Sequence, residues 1–166
     1  MGFPVFVGEL NPYGANPHFA LYCLPATSAG GRLQRLVCGL HRTTYLACLR
    51  HNLCDGRWSA PAARDRANAL LAELAADGTP SPLPGFVLLG RKVASAFGLG
   101  DIPPFTGAFR GVPGRTEPGA VACIVLPHPS GLCRVWNEPD AFDRARTLLR
   151  STWPTVPWGE LSGGEA

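Results

Sequence analysis

The sequence predicts an α/β domain, a three-layer α/β/α sandwich around a central four-stranded parallel sheet. Three observations carry this reading. Four short, continuous apolar runs rich in Val, Leu, Ile and Phe read as strands covered on both faces: 3–8, the later part of 45–53, 86–90 and 121–126. Helical patterns lie between them. Strand and helix alternate, as a parallel sheet with crossover helices requires.

The elements follow in order. After the first strand, 28–40 places Leu33, Leu36, Val37 and Leu40 at helical spacing and offers Gly39 as a stop. The stretch 59–77 opens on Ser59 with Pro61 close behind, then runs Ala- and Leu-rich to a Gly78-Thr79-Pro80 terminator. A short helix is expected over 91–97. Over 138–152, Phe142, Ala145, Leu148 and Leu149 share one face, with acidic residues early and Arg late to match the helix dipole. The Gly/Pro-rich stretch 99–118 is expected to be a surface excursion, suited to a substrate-facing flap. A single domain over 1–156 is expected, with a flexible tail at 157–166.

Composition bounds the class. The 166 residues, 46% hydrophobic and 16% charged, fit one globular domain. A net charge of +3 neither identifies nor excludes a nucleic-acid binder. No apolar run is long enough to span a bilayer, and the first residues show neither a basic n-region nor a cleavage site, so a cytoplasmic protein is expected. The six cysteines (23, 38, 48, 54, 123, 133) include no C-x-x-C pair, and their spacing suits neither a zinc site nor a disulfide framework. Reduced, buried thiols are expected, and no metal.

Ligands of open α/β sheets gather just beyond the carboxyl ends of the strands. Here the first run is followed by Glu9-Leu10-Asn11-Pro12-Tyr13-Gly14. The second carries His51-Asn52 and then Cys54-Asp55-Gly56-Arg57-Trp58. The last is followed by Pro127-His128-Pro129-Ser130-Gly131-Leu132-Cys133-Arg134 and Trp136-Asn137. Polar, aromatic and turn residues thus converge on one edge.

The segment PHPSGLCRVWN resembles the H-P-S-x-L loop that follows the last strand in the uracil-DNA glycosylase superfamily. GELNPYG resembles that superfamily's strand-one loop. SAGGRLQRLVCGLHRTTYLACLRHNLC resembles its turn, helix, strand and Asn, and GFVLLGRKVASAFG its third strand and helix. The likeness covers about residues 5–150.

The resemblance implies an uracil-DNA glycosylase-like fold and a DNA glycosylase that flips a uracil or modified pyrimidine out of DNA and hydrolyses its N-glycosidic bond, in base repair or a related task. It implies that His128 donates a hydrogen bond to the departing base, an oxyanion-type role. Leu132 becomes the apolar wedge that fills the gap left by the base, with Ser130, Gly131 and Arg134 against the flanking DNA backbone. Asn11 stands where the most active members carry a water-activating Asp. An Asn, as in some mismatch-directed and single-strand-selective members, orients water but cannot take its proton, and Glu9 is the neighbouring carboxylate that could compensate. Tyr13 resembles the residue that screens the base C5 position. Phe19 or Tyr22 supplies the stacking face. Asn52 reads the base edge, and since its amide fits either orientation, uracil and cytosine both remain open. Branches with an iron–sulfur cluster carry an early C-x-x-C that is absent here, so no cofactor is expected. The partner is DNA bearing a uracil or modified base, and the chain is expected to act as a monomer. Two other readings stand beside this one: a non-catalytic binder of uracil-containing or modified DNA, and a nucleoside or nucleotide N-glycosidic hydrolase.

Overall fold

A computed structural model describes residues 2–76, 84–112 and 119–163. Its core is a five-stranded sheet in the order β2-β1-β3-β5-β4. The strands are β1 (Val5–Asn11), β2 (Arg50–Asp55), β3 (Phe86–Leu89), β4 (Thr106–Gly111) and β5 (Ala120–Leu126). β1, β2, β3 and β5 run parallel, while β4 pairs antiparallel with β5.

Side chains alternate across the sheet with the strand period of two. Phe6, Val87, Leu89, Ile124 and Leu126 pack on one face, in one cluster with Leu33, Val37, Tyr45 and Leu149. Val5, Val7, Phe86, Leu88, Val121 and Val125 pack on the other, with Ala63, Ala67, Leu71, Val93 and Phe97. The first layer is formed by α1 (Ala29–Arg32), which widens to a π-helical stretch over Leu33–Cys38, by α2 (Arg42–Ala47) and by α5 (Ala141–Thr152). The second is formed by α3 (Ala60–Ala76) and α4 (Arg91–Ala96). Both faces are covered, which is why the strands read as unbroken apolar runs.

Four differences from the sequence reading have physical causes. The sheet has five strands, not four. The extra one, β4, lies inside the stretch expected as a surface excursion, and its pairing runs from Thr106 opposite Val125 to Gly111 opposite Ala120. The second strand starts at Arg50, in the later part of 45–53 as expected, but runs on through Cys54 to Asp55, paired along β1 as far as Asn11. Tyr45 belongs to α2, where its ring is buried and its hydroxyl donates to the Leu21 carbonyl at 2.7 Å. β1 extends to Asn11, so Glu9 and Asn11 are strand residues rather than loop residues. The stretch expected as a flexible tail from 157 is docked as far as Leu161. Trp158 is buried in the first layer, and the Gly159 and Leu161 amides donate to the carbonyls of Cys38 and Gly39. Gly39 makes this approach possible: it ends the helix in the left-handed region (φ +61°), and a Cβ there would sit 2.7 Å from the Gly159 Cα.

The Gly78-Thr79-Pro80 terminator lies outside the described residues, as do 113–118 of the expected flap. Five of the six thiols are buried, Cys133 being partly exposed. Among the described residues, no helix is long and apolar enough to cross a membrane.

Candidate nucleobase-binding site

The carboxyl ends of the parallel strands open onto a cavity of about 430 Å³. That lies within the roughly 300–1,000 Å³ usual for small-molecule sites. Glu9 and Asn11 reach it from β1, Asn52 from β2, Phe19 and Tyr22 from the connection between β1 and α1, and His128 from the loop after β5. Residues far apart in sequence therefore meet on one wall.

The polar floor is a pair of amides. The Asn52 side-chain N–H donates to Oδ1 of Asn11 at 2.8 Å, and Asn11 is only 6% exposed. The Asn52 Oδ1 is buried without a hydrogen-bond partner among the described residues. It lies against Gly8, its register neighbour in β1, where a Cβ would stand 2.2 Å from that oxygen. Gly8 is thus the residue that lets Asn52 lie flat on the sheet, a role with no counterpart in the sequence reading.

His128 is fixed from three sides. Its Nδ1 accepts the Ser130 backbone N–H at 3.2 Å, so the neutral ring carries its proton on Nε2. The buried Trp136 indole donates to the His128 carbonyl at 2.8 Å. Arg32 donates through Nε to the Pro129 carbonyl at 3.1 Å, tying the loop to α1. Burial lowers the His128 pKa below the ordinary value; the Glu9 carboxylate opposes that shift and Lys92 adds to it. The imidazole is accordingly neutral at pH 7 and keeps a single N–H to donate.

Glu9 is held by Lys92 of α4 at 3.4 Å, and the same ammonium lies 5.6 Å from the Trp58 ring centroid. Glu9 and His128 also line a second cavity of about 590 Å³ on the side of β3, β5 and residues 100–104. They form the partition between the two. Lys92 was not marked by spacing, since its partner Glu9 lies on a distant segment.

The aromatic wall is set by an unusual turn. Leu21 adopts a positive φ of +50°, and its carbonyl receives the Tyr45 hydroxyl. This turn buries Leu21 while Phe19 and Tyr22 stay at the cavity, in edge-to-face contact at 5.1 Å. Both candidates for the stacking face are therefore present together.

One expected residue is elsewhere. Tyr13 does not line this cavity. It is 91% exposed, and its ring lies over Gly56, whose φ of +66° and missing Cβ make room for it. Leu132 is 94% exposed at the tip of the His128 loop, next to the exposed Gly131 and near the exposed Arg134. Ser130 is partly buried and contributes its backbone N–H to His128.

Among the described residues, no group of three or more His, Cys, Asp or Glu side chains is placed to hold a metal ion. No family model and no curated protein sequence matches the chain.

Proposed function

We propose that this chain is a DNA glycosylase of uracil-DNA glycosylase-like fold, acting on a uracil or modified pyrimidine base turned out of DNA. The observation that carries the reading is His128, its Nδ1 occupied by a backbone N–H and its Nε2 left to donate, on the same cavity wall as Asn11, Asn52 and two aromatic rings. Such a set suits a planar heterocycle with oxygens on its edge. The base lies against Phe19 or Tyr22, and Asn52 meets its edge.

The N-glycosidic bond breaks with its electron pair passing to the base nitrogen, which leaves positive charge on the sugar carbon. The Nε2–H of His128 stabilises the negative charge that spreads to a base oxygen, without giving up its proton. Water adds to the sugar carbon. Asn11 positions that water but takes no proton, and the carboxylate of Glu9, 20% exposed at its side chain, is the acceptor for it. The departing base regains a proton from solvent.

The test is release of free base from oligonucleotides carrying uracil or bulky modified cytosines. Release by the wild type and its loss in His128→Ala support the proposal. Tight binding without any release rejects it.

A second reading is favoured by one observation. The Oδ1 of Asn11 is already engaged by Asn52 inside the site, and an amide cannot act as a base. The same cavity then serves a non-catalytic binder of modified DNA. Binding that weakens steeply with salt, with no product on long incubation, distinguishes it.

A further inference from the structure

We propose that Phe19, Tyr22 and Arg42 form a second nucleotide subsite at the mouth of the cavity. It would take the unpaired nucleotide next to the one whose base is held inside. This inference rests on the base-pocket reading.

Two side chains from the connection between β1 and α1 and one from α2 are assembled there. Phe19, in the single turn Pro17–Phe19, is 57% exposed and meets Tyr22 edge to face at 5.1 Å. Arg42, the first residue of α2, lies 5.9 Å above the Tyr22 ring and donates to the Tyr22 hydroxyl at 3.1 Å. Phe19 and Tyr22 also line the cavity, so the ladder begins inside it and ends on Arg42 at the surface. The positive φ of Leu21 keeps the two rings in place while that residue itself is buried. An exposed ring face held beside a guanidinium is the combination that stacks a base and meets the adjoining phosphate.

The local charge points to the same class of ligand. Residues 10–54 contain Arg32, Arg35, Arg42 and Arg50 and no Asp or Glu, although the whole chain has 12 acidic residues. Arg42 thus sets a positive charge beside the exposed Phe19 ring, and Glu9, on the far side near His128 and Lys92, is the one carboxylate among the cavity's lining residues. A base in a continuous duplex hides its faces in the stack. The subsite thus selects a neighbour that is unpaired.

The test uses the full chain and fluorescent pentanucleotides of thymidine with a central 2′-fluoro-deoxyuridine, which resists hydrolysis. One set carries an abasic position beside the uracil, on either side in turn. Removing the neighbouring base on one side should weaken wild-type binding about tenfold, with little effect on the other side. Phe19→Ala should bind the intact oligonucleotide about tenfold more weakly and become indifferent to the abasic position. Phe19→Trp should restore both. Arg42→Gln should weaken binding and flatten its salt dependence. Equal sensitivity to the abasic position in wild type and Phe19→Ala overturns the subsite. So does equal wild-type affinity for the single strand and for the same sequence in a duplex. Replacing the central uracil by an abasic site separates the two readings: an unchanged affinity with the Phe19 effect intact supports the subsite and overturns the base pocket.

Discussion

The side-chain N–H of Asn52 donates to the Oδ1 of Asn11 at 2.8 Å, joining neighbouring parallel strands at the floor of the cavity. Oδ1 is thereby assigned as an acceptor, and position 11 can hold a carboxylate without losing this bond. Asn11→Asp should therefore keep the fold and add a second carboxylate base beside Glu9. Base release should rise by at least tenfold, within the roughly 10²–10⁴-fold range of general-base catalysis. Single-turnover release from a uracil oligonucleotide measures it. An unchanged or lower rate would show that water is not activated from this position.

Gly8 tests the geometry of the same pair. Gly8→Ala places a methyl 2.2 Å from the Asn52 Oδ1 and 3.1 Å from Leu21 Cδ2, so the amide must swing away. The expected outcome is a fall of about tenfold or more in affinity for uracil-containing oligonucleotides, since a displaced polar contact of this kind is worth roughly 1–3 kcal/mol. Far-UV circular dichroism should be preserved. Undiminished affinity would mean that Asn52 does not touch the base.

Much of this architecture was legible in the sequence, and the exceptions are instructive. β1, β3 and β5 stood out because both faces of each are buried, which leaves a continuous apolar run. The run Tyr45-Leu46-Ala47-Cys48-Leu49 looks the same in composition but spans α2 and its end, and short apolar runs do not reveal their period. β4 was missed because TGAFRG is half-exposed, glycine-rich and carries a single large apolar side chain, Phe109, that points to solvent. The cavity residues Asn11, Asn52 and His128 were found because strand ends project to one edge. Tyr13 was misplaced for a different reason: its side-chain direction depends on the left-handed Gly56 of another loop, and local spacing does not encode that.

Two histidines make stability depend on pH with a defined sign. Burial lowers the pKa of His128 and of His51, in each case below the ordinary 6.5. The unfolded chain therefore binds protons at a higher pH than the folded chain. Their contribution is fully present above about 6.5 and is lost as pH falls toward and through the lower folded values. The thermal midpoint should fall between pH 7.5 and pH 5, and His51→Gln should flatten part of that slope. A midpoint that rises on acidification would contradict the buried, neutral state of both rings.

Leu132 separates DNA from monomer substrates. At 94% exposure it contributes little to the core, and Leu132→Ala should change stability by no more than about 0.5 kcal/mol. Base release from duplex DNA should nevertheless drop several-fold, because a wedge is needed to hold an opened base step. Equal rates on duplex for wild type and variant, together with turnover of free nucleosides, would favour a monomer hydrolase.

The central claim is that His128 stabilises a departing base through its Nε2–H. The most direct measurement is single-turnover release of free base from a uracil-containing oligonucleotide by wild type and by His128→Ala, each verified as folded. A fall of about 10²–10³-fold in the variant, as for loss of an oxyanion-hole donor, is the expected result. Equal release by both proteins, or none by the wild type from any uracil or modified-cytosine substrate, would contradict it.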